Sequence, residues 1–461
     1  MNENELKQLQ SPPALSEIEI EWKRLHDRHG HIAFPEMDKL VAHGILPKKF
    51  EVVKGKCILC PSCIFGKMRK RAWRVKGKRS GKICKEKYPG AKVSTDQLVV
   101  AQPGLVPRMD GRHTNERICG ATGFFDHYSG YSYSALQTSL DGDQTLVAKL
   151  SFESHALTSG VEVKSYRADN GRFAEQSFLD AVKEAHQTIG FCAVGAHHQN
   201  GVIERHFQRL TTSARTILLH AKRHWSSMIT TVLWPFAYKY AELLYNHLHV
   251  DALGLSPAEK FCNTPVKLEV NNFHTWGCPC YVLDARGQNG NMIPKWDPRS
   301  RLGIYVGHSP CHARSVALVL NPKTLYVSPQ YHVAFDDDFS TVPFLASTDV
   351  PPNWAALVSC SESSTDLDYD LAEVWIQAQG DPTTPPPDQE GEVSVERRSA
   401  KIVSFDDESV PLDSEGAAEN KNVEILMQPT LPDINDFSGR KSSRKSKPTD
   451  KAKESKDPAL K

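Results

Sequence analysis

"VKSYRADNGRFAEQSFLDAVKEAHQTIGFCAVGAHHQNGVIERHFQR", residues Val163–Arg209, reads as an apolar strand ending in Asp169, a helix, a short strand, a glycine turn and a second helix carrying Glu204. An aspartate at a strand end and a glutamate on a following helix, held in one α/β unit, can share divalent metal between carboxylate oxygens, which is what cutting and joining phosphodiesters needs. Asp-Asn-Gly is also common turn chemistry, so Asp169 alone reads equally well as a turn former. Along "VIERHFQRLTTSARTILLHA", Ile203, Phe207, Leu210, Ala214 and Ile217 mark the buried stripe. Glu204 lies beside that stripe with Arg205 and Gln208, either facing a ligand or simply solvated.

Upstream, "KVSTDQLVVA" is a β-rich run with Asp96 inside it, and "ICGATGFFDHYSG" and "YSYSALQT" form two more strands around a turn at Ser129–Gly130. An acid within an apolar strand is costly to bury without a partner, which raises Asp96 to a site candidate. Asp126, at a strand end before "HYSGY", reads as a turn cap. "DQTLVAKLSFESHALTSG" is helical by spacing, with Leu146, Leu150 and Phe152 among its apolar positions, Asp143 as N-cap and Gly160 as stop. Three strands, then helix, strand, helix, strand, helix, predict an α/β fold with a mixed five-stranded sheet. Downstream, "WSSMITTVLWPFAYKYAELLYNHLH" is apolar at helical spacing, with Pro235 kinking or restarting the helix. "CPCYVLDA", "SRLGIYVGHS", "SVALVLNP" and "TLYVSPQYHVAFD" then predict four or five short strands and a small β-barrel.

Near the N-terminus, "EWKRLHDRHGHIAFPEMDKLVAHGIL" predicts two short helices broken near Gly30 and Pro35. His26 and His31, followed by Cys60 and Cys63, offer the nitrogen and thiolate donors of a closed tetrahedral zinc site in a segment too small to fold on a core alone; the alternative is an ordinary helical hairpin with surface histidines and free thiols. Cys57 and His29 are competing ligands. The basic run that follows, with Lys67, Arg69, Arg71 and Trp73, suits a phosphate backbone and a stacked base, or plain solvation.

The net charge is +1, so the whole-chain balance gives no hint of a nucleic-acid partner; local charge does, after the cysteines and in "SGRKSSRKSKPTDKAKESK". No run approaches the roughly 18 consecutive apolar residues of a membrane span. The polar N-terminus carries no apolar signal-peptide core. The expectation is therefore a location in nucleus and cytoplasm, with the 11 cysteines as intracellular thiols. Beyond Phe339, "PTTPPPDQEGEVS" and the lysine- and serine-rich end predict disorder.

From about Glu21 to Val342 the chain resembles the integrase region of a copia-type LTR retrotransposon polyprotein. The His26, His31, Cys60, Cys63 set followed by "FGK" is similar to the zinc-binding pre-integrase segment of that family. "STDQL", "RADNG" and "HHQNGVIER" fall where its catalytic core carries an Asp, Asp, Glu triad. "FFDHYSGYSYSALQT" looks like that core's second and third strands. "WGCPCYVLD", "PRSRLGIYVGHS" and "VSPQYHVAFDDDF" resemble its SH3-like barrel. Two departures stand out. The 34 residues between Asp169 and Glu204 are one fewer than usual in the family. Arg172 and Phe173 stand where an acid often follows "DNG".

The resemblance implies an α/β, RNase H-like mixed five-stranded sheet with flanking helices. A small helical zinc-binding segment would precede it, and a small SH3-like β-barrel and a disordered tail would follow. The expected divisions are a disordered 1–16, the HHCC segment at 17–75, a basic linker at 76–92, the integrase core at 93–262, the barrel at 263–342 and the tail at 343–461. It further implies Asp96, Asp169 and Glu204 holding two Mg2+ or Mn2+ ions about 3.5–4 Å apart, and Zn2+ as a structural ion. The reactions would be trimming of element DNA ends and their joining to target DNA. Gln199, Asn200, Arg205, Arg209, Lys67, Arg69 and Arg71 are the candidates for DNA contact. A homo-oligomer is expected, since two ends must be held together. No protease motif, Gag region or reverse-transcriptase aspartate pair is apparent, so the resemblance implies a segment of a longer polyprotein.

Overall fold

A reciprocal cap opens the ordered chain: the Ser16 N–H and hydroxyl donate to the Glu19 carboxylate at 2.9 and 2.7 Å, starting helix α1 (Glu17–Arg28). The computed structural model describes residues 15–70, 86–107, 115–193, 200–266, 270–288, 290–309, 312–313 and 315–345. The expected N-terminal disorder, most of the basic linker and nearly all of the tail lie outside these residues, as do Arg71, Trp73 and Gln199.

Helix α1 turns at Gly30 into α2 (Phe34–Ala42), with Pro35 in the first turn, where its missing N–H costs nothing. Trp22 is fully buried, its ring centroid 5.2 Å from that of Phe50 and 6.4 Å from that of Phe34. A short helix α3 (Pro61–Lys67) starts from Cys60.

Strands β1 (Val93–Leu105), β2 (Arg117–Asp126) and β3 (Ser132–Gln137) form an antiparallel meander. Helix α4 (Gly142–Thr158) then leads to β4 (Ser165–Ala168), α5 (Gln176–Glu184), β5 (Thr188–Phe191) and α6 (Gly201–His224). β4 lies parallel to β1, and β5 parallel to β4, giving the order β3-β2-β1-β4-β5. That order and those directions make an RNase H-like core. Helices α7 (Trp234–Leu248) and α8 (Pro257–Cys262) follow, and Pro235 sits in the first turn of α7, so it restarts the helix. Two details of the expected α4 change. Its N-cap is Asp141, which accepts from the Gln144 N–H at 2.8 Å, because Asp143 already lies inside the first turn. Leu150 is 53% exposed; the buried face is carried by Ala148, Phe152 and Ala156, with Lys149 buried and paired to Glu153.

The last described region is a five-stranded antiparallel sheet built from β6 (Pro279–Leu283), β7 (Ser300–His308), β8 (Ala317–Leu320), β9 (Val327–Gln330) and β10 (Val333–Phe335), with a one-turn helix α9 (Ala285–Gln288) after β6. Its order is β10-β6-β7-β8-β9, leaving β9 and β10 at the edges. Cys278 and Cys280 are buried core thiols there.

One apolar cluster joins Trp22, Met37 and Leu40 of the N-terminal segment to Ile217 on α6, Tyr240 and Leu244 on α7, and Tyr305 on β7. The small segment thus borrows its core from the long helices. At the closest approach, α3 meets α6 through Gly66, where an added Cβ would lie 2.9 Å from the Thr216 backbone. Arg28 pairs with Asp337 at 2.5 Å and Arg24 with Asp338 at 3.0 Å, tying α1 to the segment after β10.

Candidate active site and metal centre

Strand register explains why two distant aspartates become neighbours. Ser94 of β1 is paired with Arg167 of parallel β4. Two residues further along each strand direction stand Asp96 and Asp169, and a period of two turns both side chains to the same face. Across the antiparallel pair, Asp96 is opposite Gly123 of β2. Glu204 is in the first turn of α6, whose positive end favours a carboxylate.

Asp96 is the central group. Its Oδ1 accepts the Gln97 N–H at 2.8 Å. Burial pushes its carboxyl up to about 6, with the charges of Asp169 and Glu204 adding to the rise, while the Gln97 N–H and the Asn200 amide oppose it. Asp169 and Glu204 therefore both lie within Coulombic range of Asp96. Asp169 closes a tight turn through the Gly171 N–H at 3.3 Å. A cleft of about 360 Å3 opens beside the pair, lined by Asp96, Gln97, Asp169, Gly171, Arg172, Phe173 and Glu175. Arg172 pairs with Glu175 at 2.7 Å. The oxygens of Asp96, Asp169 and Glu204 do not all come within 4.8 Å of one another. Three carboxylates are the hard oxygen donors that Mg2+ or Mn2+ takes, and a cation would offset the part of the rise in Asp96 that comes from its acidic neighbours.

Asp126 stands apart from this centre. It accepts the Ser129 N–H at 2.7 Å, the Ser129 hydroxyl at 2.6 Å and the Gly90 N–H at 2.9 Å. It is a buried turn cap.

With this geometry in view, no family model matches the chain and no curated protein matches it. Solved structures do. The HTLV-2 integrase catalytic core domain in complex with magnesium (dimeric form) is 15% identical, covering 38% of this chain and 97% of that one, with a TM-score of 0.27. The simian T-cell lymphotropic virus intasome in complex with PP2A regulatory subunit B56 gamma is 16% identical, covering 65% of this chain and 98% of that one, with a TM-score of 0.31. The BIV integrase catalytic core domain is 15% identical, covering 38% and 95%, with a TM-score of 0.27. At such identities and scores the likeness carries no functional weight, and the fold rests on strand order and direction.

The second constellation lies in the N-terminal segment. The ligand atoms of His26, His31, Cys60 and Cys63 all fall within 4.8 Å of one another. His26 Nε2 is 3.2 Å from His31 Nδ1 and 3.3 Å from Cys63 Sγ, and Cys60 Sγ is 3.4 Å from His31 Nδ1. A tetrahedral ion with bonds of about 2.0–2.1 Å to nitrogen and 2.3 Å to sulfur spans ligand edges of about 3.3–3.6 Å. The donor set and its spacing fit zinc. His26 Nδ1 donates to the Ile32 carbonyl at 2.8 Å, which leaves Nε2 as the lone-pair atom facing the cluster. Backbone geometry helps to aim His31, which sits at φ 60 directly after Gly30. Hydrogen bonding from Cys63 and from the two imidazoles pulls the Cys60 thiol down. Neither competitor joins the group. Cys57 is exposed, and His29 is buried with Nε2 3.5 Å from the Val270 carbonyl.

The residues expected to meet DNA divide. Asn200 departs from expectation: it is 1% exposed, its amide donates to the Thr95 carbonyl at 3.1 Å, and it hydrogen-bonds Asp96. It ties the start of α6 to β1 and is closed to solvent. Lys67 also turns inward, donating to the His31 carbonyl. Arg205 is exposed, its Nε donating to the Gly201 carbonyl at 2.6 Å. Arg69 reaches Gln208 at 3.4 Å and Thr212 at 3.3 Å, both on α6. The Arg209 guanidinium lies 5.3 Å from the Tyr245 ring centroid.

Two residues escaped the sequence reading. Asp27 and His220 form, with His31, a second group whose ligand atoms lie within 4.8 Å of one another. Asp27 Oδ1 is 3.3 Å from His31 Nδ1 and 3.9 Å from His220 Nδ1. His220 and His224, four apart on α6, were the available signal. No helix among the described residues is long and apolar enough to cross a membrane.

Proposed function

We propose that the chain is a polynucleotidyl transferase of the integrase type, processing DNA 3′ ends and joining them to target DNA with divalent metal. The observation that carries this reading is the pairing of Asp96 and Asp169 at one cleft of an RNase H-like sheet, with Glu204 on the first turn of α6 near enough for its charge to act on Asp96. Asp96, Asp169 and Glu204 would hold two Mg2+ or Mn2+ ions, which when bound activate a water or 3′-hydroxyl nucleophile and neutralise charge on the leaving oxygen.

The protein's own groups set the stage for that chemistry. Asn200 holds Asp96 in place from the start of α6, and the Gly171 N–H orients Asp169. Arg205, exposed one residue after Glu204, offers its guanidinium to a phosphate approaching the cleft. The His26, His31, Cys60, Cys63 set would hold one structural Zn2+ and stiffen the segment seated on α6. In this reading the chain is the integrase region of a copia-type element: an HHCC segment at 17–75, a basic linker, a core at 93–262 and an SH3-like domain at 263–342. It acts as an oligomer on DNA in the nucleus, and the sheet edge at β10 is one surface for such assembly.

A second reading, a catalytically inactive DNA-binding remnant, draws on the carboxylate oxygens not all falling within 4.8 Å of one another. One assay separates them: strand transfer with an oligonucleotide end and Mn2+, with Asp169→Asn as control. Product from wild type alone supports the enzyme. Equal product from both, or none from wild type with DNA binding intact, overturns it.

A further inference from the structure

Away from the carboxylates, a cavity of about 450 Å3 lies between the turn after α1, the end of α3 and helices α6 and α7. That volume is in the range of pockets that bury a small organic ligand. Its accessible apolar lining is Ile32, Ala33 and Tyr245, set over the buried Leu210 of α6 and Leu244 and Leu248 of α7. Its mouth is cationic. Arg69 touches only the neutral side chains of Gln208 and Thr212, and Arg209 rests on the Tyr245 ring. Among the described residues neither guanidinium has a carboxylate partner. Among the described residues Glu36 is the one acid lining the cavity, and it is already engaged by Lys39 at 2.9 Å and His249 at 3.6 Å.

Two guanidiniums without counter-ions beside an apolar lining make a site for an anion with a flat apolar body. A surface Arg pair without the lining would suit any phosphate, and a lining without the cations would suit any apolar group; a nucleotide needs both. Its base must be unstacked to reach the lining, which selects single-stranded over duplex nucleic acid. Position along α6 agrees. Gln208, which Arg69 contacts, lies one helical turn beyond Glu204 on the same face, a rise of about 6 Å. A strand that meets Glu204 thus passes Gln208 within about two nucleotides' reach at roughly 3.4 Å each.

We propose that this cavity accepts one nucleotide of a single-stranded DNA segment, with Arg69 and Arg209 clamping its phosphate and the apolar lining around Ile32, Ala33 and Tyr245 receiving its base. The inference rests on the reading of the chain as a DNA-joining enzyme, but it can fail separately. The probes are fluorescein-labelled oligothymidylate of eight nucleotides, an abasic strand of equal length and a blunt duplex, titrated by anisotropy against the full chain loaded with zinc. Arg69→Gln with Arg209→Gln should weaken oligothymidylate binding about tenfold and flatten its salt dependence by roughly 1.4 in log–log slope, two contacts at about 0.7 each. Ser213→Trp, which fills the cavity without changing charge, should weaken oligothymidylate as much while leaving the abasic strand unchanged.

Affinity within twofold of wild type in both variants overturns the cavity, as does an equal loss on duplex and abasic strand, which would mark a plain charged surface. If wild type joins ends while neither variant loses oligothymidylate, the cavity is wrong and the enzymatic reading survives. If wild type binds oligothymidylate through the cavity and joins nothing, the enzymatic reading is wrong and the cavity survives.

Discussion

Replacing Gly123 by alanine tests how the site is held together. Gly123 pairs with Asp96 across β1 and β2, so a side chain at either position projects on the same face of the sheet. The ring of Phe207 on α6 lies directly over the missing Cβ. A methyl group there would stand 2.6 Å from Phe207 Cζ, and closer still to Cε1. Ordinary carbon contacts begin near 3.4 Å, so the ring must withdraw by about 1 Å or more, and it is 7% exposed with little room to turn. Overpacking of that kind costs about 1–3 kcal/mol. Phe207 is three residues after Glu204, so a helix that yields carries Glu204 away from Asp96. Misplacement by about 1 Å can lower a rate about 100-fold.

Urea unfolding of Gly123→Ala, Phe207→Leu and the double variant measures the clash as a coupling energy, expected to be at least about 1 kcal/mol in favour of the double variant. Strand-transfer product should fall in Gly123→Ala by more than its loss of folded protein. A single variant within about 0.5 kcal/mol of wild type, or strict additivity of the two changes, would refute the claim that Gly123 seats α6 against Asp96.

Other expectations follow from the charges and the metal ligands. Asp96 keeps its proton up to about 6 when folded against an ordinary 3.8, so between those values the unfolded chain binds fewer protons and metal-free stability falls as pH rises. The difference bounds the effect at about 3 kcal/mol, or about 1–2 once solvent screening is allowed for. Asp96→Asn should therefore be the more stable protein at pH 7.5 without metal, and should lose the stabilisation by Mn2+ seen in wild type; matching pH profiles in thermal melts would sink the idea. One zinc per chain is expected by elemental analysis, lost in Cys60→Ser with Cys63→Ser, together with faster hydrogen exchange around Thr216, because α3 rests there through Gly66; unchanged zinc content would remove the ligand assignment. Buried Lys149 has Glu153 at 3.0 Å, and Glu153 also accepts from Tyr166 and Gln187. Glu153→Ala, which strands the ammonium, should cost about 3–5 kcal/mol and Lys149→Met clearly less; the reverse order in denaturant melts would contradict this account.

Local patterning carried the succession of strands and helices because hydrophobic period and turn residues act within a few positions. Alternation around Asp96 and the strand before Asp169 were enough to place one acid within a strand and the other just past a strand end, and the His, His, Cys, Cys spacing was enough to group four ligands. The errors also have local causes. Asp143 was taken as the cap of α4 although Asp141 has the extended backbone that a cap requires. Asn200 is a DNA-contact candidate by analogy with the family, which says nothing about its exposure here.

What the sequence by itself determined is the inventory: which acids, imidazoles and thiols exist, and the order of the elements that carry them. Only the tertiary structure decided their company. Asp27 and His220 meet at His31 because α6 packs against the N-terminal segment. Lys67 turns to the His31 carbonyl, and the burial of Asn200 ties α6 to β1. Those pairings depend on burial and on contacts between residues far apart in the chain, where no short-range pattern records which face will meet which. For the stretch Val163–Arg209, this means that its two acids were legible in the letters, while the raised carboxyl of Asp96 exists only once the sheet and α6 bury it beside the charges of Asp169 and Glu204.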